Sequence, residues 1–142
     1  MTQLTQHFSL EELTFSQTAA RKGINNTPPP DVLARLKRTA QGMEVVRIAL
    51  GGSAINISSG YRCPALNAAV GGAKNSQHLT GEACDFTSPA YGSVESVFNL
   101  IRASTIPFDQ VILEYGRWVH ISFSDKPRKQ ALVIDEKGTR PA

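Results

Sequence analysis

Two of the three histidines in this 142-residue chain stand where their spacing suits metal chemistry. Ser76-Gln77-His78-Leu79-Thr80-Gly81-Glu82-Ala83-Cys84-Asp85 sets an imidazole and a carboxylate seven residues apart, with Gly81 between them to turn the chain. The pattern puts His78 on a loop and Asp85 on a strand. His120 lies in Trp118-Val119-His120-Ile121-Ser122, where a strand projects it to the same side as Trp118 and Ser122. Two imidazoles and one carboxylate suit Zn²⁺ and leave a fourth position for water, which is the composition of a catalytic site.

Such a site needs a carboxylate to take a proton from water and pass it to a leaving amine, and Glu114 is the candidate. If Tyr115-Gly116-Arg117 is a three-residue turn, Glu114 faces Trp118 and lies diagonal to His120 on one face. A two-residue turn would rotate Glu114 to the other face. Arg62 ends Ser58-Ser59-Gly60-Tyr61-Arg62, after a strand, and its planar fork matches a substrate carboxylate or a scissile carbonyl. Each residue also has an ordinary reading. Single histidines are common in cores and on surfaces, Asp85 could cap a turn, and Glu114 and Arg62 could be solvated charges. His7 falls near the start of the chain, where fraying is expected, and is assigned no role.

The elements that must position these residues follow from caps and periodicity. Ser9-Leu10-Glu11-Glu12 reads as a capping box with Phe8 and Leu13 as its hydrophobic staple, opening a short helix that Gly23 and Asn25-Asn26 end. After the stiff Thr27-Pro28-Pro29-Pro30, Asp31 is expected to cap a long helix reaching about Leu50. Its apolar stripe is Leu33, Leu36, Ala40, Met43, Val46 and Leu50, interrupted by Gly42, and its plain meaning is core packing. Strands are expected over 54–58, 82–86, 110–114 and 118–123, with helices over 64–70 and 94–103. Leu132-Val133-Ile134 suggests an edge strand, and residues 135–142 a frayed polar tail. Helices first, then strands with helices between them, argue one α+β domain over residues 1–142. Its sheet should be mostly antiparallel, carry the zinc site on one face and have helices packed against it.

Composition narrows the classes. Hydrophobic residues make up 41% and charged residues 19%, which suits a folded globular chain. The net charge of +3 comes from scattered Lys and Arg, not the basic stripe that would argue for nucleic acid. No apolar run approaches the roughly 18 residues of a membrane span. The opening Met1-Thr2-Gln3-Leu4 has neither the basic nor the apolar segment of a secretory signal, so synthesis in a cytoplasm is expected. Cys63 and Cys84 are then expected as free thiols.

The motifs together resemble the zinc D-Ala-D-Ala carboxypeptidase family, metallopeptidase family fifteen. The resemblance rests on Ser59-Gly60-Tyr61-Arg62 with Leu66-Asn67, on Ser76-x-His78-x-x-Gly81-x-Ala83-x-Asp85, and on Trp118-Val119-His120-Ile121-Ser122. Phe8-Ser9-Leu10-Glu11-Glu12-Leu13 is similar to the small phage and prophage branch, with its endolysins and tail-associated peptidases. The resemblance implies zinc at His78, Asp85 and His120, and a substrate-carbonyl role for Arg62. Many members place the catalytic carboxylate three residues before the last histidine, where this chain has Arg117. Here the pattern is similar instead to the amino-terminal domain of hedgehog proteins, with a glutamate six residues ahead of the histidine, at Glu114.

The implied function is a zinc-dependent peptidase acting on peptidoglycan stem peptides, as a D,D-carboxypeptidase or an endolysin-type endopeptidase. It would reach the wall after release from the cell or as part of a phage particle. The rival from another class is a virion, tail or wall-binding protein whose zinc is structural, because a metal site alone is not an enzyme. Trp118 is expected to pack beside the site, and Ser76 and Gln77 to shape the loop.

Overall fold

Serine caps divide the start of the chain. The computed structural model describes residues 2–142. Helix α1 (Leu10–Thr14) has the expected capping box: the Ser9 hydroxyl accepts the Glu12 N–H while the Glu12 carboxylate accepts the Ser9 N–H. Phe8 and Leu13 are both buried, as a staple requires. The helix does not continue to Gly23, however. It stops at Phe15, and Ser16 caps a separate helix, α2 (Gln17–Lys22), which Gly23 closes at φ 66°. A serine hydroxyl that captures a backbone N–H competes with the helix ladder, and here it restarts the helix. His7 is not frayed either, since its backbone N–H and Nδ1 both bond the Glu44 carboxylate at 2.7 Å.

Helix α3 (Pro30–Ala49) begins with Pro30 in its first position, where a missing N–H costs nothing. Asp31 therefore does not cap it. Instead Asp31 lies in the first turn and pairs with Arg35 one turn on. The buried face is Val32, Leu36, Thr39, Ala40, Met43 and Val46, with Leu50 just beyond the end. Val32 takes the place expected for Leu33, which is only half-buried. Gly42 has a packing reason: a Cβ there would lie 2.5 Å from the Phe123 ring. The missing side chain lets α3 seat that ring against its backbone.

The remaining elements are β1 (Asn56–Ser59), α4 (Pro64–Ala69), β2 (Ala83–Thr87), α5 (Val94–Arg102), β3 (Gln110–Glu114), β4 (Trp118–Ser122), β5 (Gln130–Asp135) and β6 (Gly138–Pro141). The six strands form one mixed sheet in the order β1-β2-β4-β3-β5-β6, antiparallel except for the β3–β5 pair. The fold class is α+β, as the element order argued. Two details at the C-terminal side are corrected. Leu132-Val133-Ile134 lies inside β5, which is not an edge, because residues 138–141 form β6 beside it. The polar tail is held by backbone pairing and by Arg140, whose guanidinium grips Asp135 at 2.8 and 3.0 Å.

Strand periodicity assigns the two faces. Cys84 and Phe86 of β2, Val111 of β3, and Val119 and Ile121 of β4 point into one core. There they meet Leu36, Met43 and Val46 of α3 and Val97, Phe98 and Ile101 of α5. The alternate residues Asp85, Ile112, Glu114, Trp118 and His120 share the opposite face. No helix among the described residues is long and apolar enough to cross a membrane.

Candidate metal centre

On that second face, register does the positioning. Asp85 and His120 are direct cross-strand partners on β2 and β4, and Ile112 of β3 sits opposite His120 on its other side. His78 comes from the loop between α4 and β2. Its backbone is pinned by the Ser76 hydroxyl, which accepts the His78 N–H at 3.1 Å, and by Arg62, whose N–H reaches the His78 carbonyl at 3.0 Å. Gly81, at φ 80°, then turns the chain into β2.

His78, Asp85 and His120 converge, each offering one ligand atom within 4.8 Å of the others. The His78 Nε2 lies 3.3 Å from Asp85 Oδ1, and the His120 Nδ1 lies 3.0 Å from the same oxygen. The two imidazoles meet edge to face with centroids 5.1 Å apart. His78 and His120 are buried, and Asp85 is nearly so.

The hydrogen-bond pattern tests whether a cation fits. His78 Nδ1 is 2.7 Å from the Gly60 carbonyl, which can only accept, so Nδ1 carries the proton. In a neutral ring Nε2 then presents a lone pair to the Asp85 carboxylate. A lone pair and a carboxylate oxygen 3.3 Å apart in a buried site make a place that a divalent cation would fit. A backbone carbonyl holding the far nitrogen of a ligand histidine is the usual outer support of a metal site. Burial pushes the Asp85 carboxyl up, but its contacts, the hydrogen bond with His120 foremost, outweigh this and hold it well below the ordinary carboxylate range. Metal ligation needs the deprotonated form, which this shift favours.

The β3–β4 turn resolves the choice left open by the sequence. Glu114 pairs with Trp118, so the turn has three residues, with Tyr115 and Gly116 both left-handed at φ 56° and 61°. Glu114 therefore shares the metal face, and its Oε1 lies 3.7 Å from His120 Nδ1. Burial raises its carboxyl above the ordinary value, and the Asp85 charge adds to the rise. His120, the Trp118 indole and Arg62 oppose it. The Trp118 indole N–H is buried without a hydrogen bond of good geometry, and its ring lies 6.0 Å from Tyr115. Trp118 lines the cleft as well as packing beside the site. Arg117 is exposed on the turn.

These side chains line one cleft with a volume of about 750 Å³. Arg62 is part of its wall, with one guanidinium nitrogen 3.4 Å from the Ser76 hydroxyl and with Nε buried and unpartnered. Burial pulls its pKa down, against the charges of Asp85 and Glu114. Ser76 and Gln77 do shape the loop, Gln77 by donating to Asp109 at 2.8 Å. Cys63 and Cys84 are free thiols; Cys84 points into the core, where burial raises its pKa, away from the metal face.

Two contributors were not read from the sequence. Gly60 is one: the sequence showed it only as part of Ser59-Gly60-Tyr61-Arg62 with no role of its own, and a Cβ there would collide with the Leu13 carbonyl. Asp109 is the other. It is buried and anchors both Gln77 and Arg128, yet nothing around Pro107-Phe108-Asp109 distinguishes it from a loop acid.

Comparison with known proteins agrees with this geometry. No curated protein matches the chain at a significant level. The family model described as Peptidase M15 matches residues 6–122, a span that holds His78, Asp85, Glu114 and His120 and stops at the end of β4. The chain belongs to the peptidase M15 family, a family of metallopeptidases.

Proposed function

We propose that this protein is a zinc-dependent peptidase that hydrolyses peptide bonds in bacterial peptidoglycan. The observation that carries the reading is the convergence of His78, Asp85 and His120 beside Glu114 at the floor of one open cleft. Two imidazoles and a carboxylate match the donor preference of Zn²⁺ and leave a coordination position free. When bound, Zn²⁺ supplies Lewis acidity that polarises a carbonyl and makes water acidic near neutral pH.

The chain supplies the rest. The Gly60 carbonyl fixes the His78 ring, and strand pairing fixes Asp85 against His120. Glu114 takes the proton of the attacking water and returns it to the leaving amine; its raised pKa brings it closer to the range where a carboxylate does both. Arg62, half-buried with its Nε short of a hydrogen-bond partner, holds the substrate's carbonyl or carboxylate. Trp118 gives the cleft an apolar wall for the substrate's side chains and keeps bulk water from Glu114. The wall is reached after release from the cell or on a phage particle.

The test is metal analysis of the purified protein followed by mass spectrometry of digested peptidoglycan. The wild type should hold about one zinc per chain and release peptide fragments. Glu114→Gln should keep the zinc and lose roughly 10²- to 10⁴-fold in kcat. Undiminished cleavage by Glu114→Gln would remove Glu114 from the chemistry. A zinc-loaded wild type that cuts nothing would leave the non-catalytic, structural use of the metal.

A further inference from the structure

Among the described residues, two that are not glycine hold left-handed backbone: Tyr115 at φ 56° and Lys129 at φ 55°. A residue with a Cβ is disfavoured there, and a bulky one most of all. At Lys129 the fold answers for the strain, because the ammonium donates to the Ser104 carbonyl at 2.7 Å and lies over the Phe108 ring at 5.1 Å. No such contact answers for Tyr115. Its side chain lies outside the hydrophobic core, is 49% exposed, and meets the Trp118 ring at 6.0 Å with a 46° tilt. The turn itself asks for another residue. The Arg117 N–H bonds the Glu114 carbonyl at 3.0 Å across Tyr115 and Gly116, and the favoured pair for a turn with two left-handed centres is Asn-Gly. Neither turn nor core explains the aromatic ring, and strained outliers of this kind cluster at functional sites.

The surroundings of Tyr115 give the ring a use. It lines the metal cleft together with Trp118 and Ile134, and it follows Glu114 in the chain. Its N–H bonds the Ile134 carbonyl at 2.8 Å, which ties the backbone carrying the ring to β5. From this placement we infer that Tyr115 is a substrate-binding residue, its ring forming with Trp118 and Ile134 a platform for an uncharged, apolar group of the peptide beside the bond that is cut. The inference rests on the peptidase reading above and adds a specificity residue to it. Because Tyr115 is the neighbour of the proposed base, the group it holds flanks the reacting carbonyl. An exposed aromatic face offers much apolar area and freezes few rotatable bonds, which suits a contact made only when substrate arrives. Asparagine would ease the backbone and remove the platform. The chain keeps the ring.

Two soluble probes test this: a muropeptide with a pentapeptide stem, and the same peptide freed of its sugar. Trp118 is the only tryptophan in the chain, so its fluorescence reports binding next to Tyr115. Zinc-loaded wild type, Tyr115→Asn and Tyr115→Phe are titrated with each probe and compared in kcat, KM and Tm. Tyr115→Asn should bind both probes about tenfold more weakly, with KM raised to match and kcat within about threefold. Its Tm should stay within about 3 °C of wild type or rise, because the eased backbone offsets the lost ring contact. Tyr115→Phe keeps the ring and should behave as wild type. Unchanged affinity in Tyr115→Asn would overturn the inference. So would a loss confined to the muropeptide, which would assign the ring to the sugar, or an equal loss in Tyr115→Phe, which would assign the role to the hydroxyl. A Tm of Tyr115→Asn lowered by more than that margin would make the ring structural and overturn it too. Wild type that binds both probes and cuts neither would overturn the peptidase reading and leave the platform as a peptide-binding surface. Wild type that binds neither would overturn both.

Discussion

Asp85 and Asp109 are both acidic residues largely removed from water, with side-chain exposures of 13% and 3%, yet they serve opposite ends. Asp109 is saturated by permanent donors. Its two oxygens accept the Arg128 N–H, Nε and Nη2 and the Gln77 amide, all between 2.8 and 2.9 Å. The Arg128 hydrogen bonds hold its carboxyl well below the ordinary range, with burial opposing. That corner is complete as it stands, and it fixes the crossover from β4 to β5 and the loop that carries His78. Asp85 faces two imidazoles instead, one of which has its only proton committed to Gly60. A bound cation would complete it. Burial of a carboxylate thus says little by itself; whether its neighbours are donors or lone pairs separates a brace from a binding site.

One substitution made at both corners should break the likeness most sharply. Asp85→Asn should abolish stoichiometric zinc, read by metal analysis after dialysis, and with it all cleavage, because the site loses its only anionic ligand. Asp109→Asn should keep the zinc but lower stability by about 2 kcal/mol, because an amide cannot accept from four donors. A fall in Tm of roughly 5 °C is the readout. Loss of zinc in Asp109→Asn with an unchanged Tm would erase the distinction.

Acid should act on the brace in a definite direction. The folded pKa of Asp109 lies below the ordinary 3.8. Its contribution to stability is therefore full above that value and is lost as pH falls through the folded pKa. Urea midpoints of the wild type should drop as pH is lowered below about 4, and Asp109→Asn should drop less steeply. The smallest effect belongs to Arg128→Lys, which keeps the backbone N–H and the charge but loses the two-pronged grip. A cost of about 0.5 to 1 kcal/mol is expected, with zinc content unchanged.

Local chemistry made much of this molecule readable. The Ser9 capping box, the apolar face of α3, the alternation of β2 and β4, and the His78–Asp85–His120 set all depend on near neighbours or on a fixed period. Where the reading failed, a local signal was outbid by another a few residues away. Ser16 restarted a helix that Gly23 alone was expected to end, and Pro30 took the first helical position ahead of Asp31. The polar 135–142 segment looked frayed because the pairing that orders it lies across a turn, not in its hydropathy.

Residue type and spacing alone determined which side chains could bind a metal, and that two of them lie on strands whose alternation would bring them to one face. Only the tertiary structure decided the three-residue turn that puts Glu114 beside His120, the Gly60 carbonyl that holds His78 Nδ1, and the Asp109 brace under the His78 loop. The physical reason is reach. Periodicity and capping act over a turn or a strand, while hydrogen-bond polarity and cavity shape arise between segments that meet only when the sheet closes against its helices.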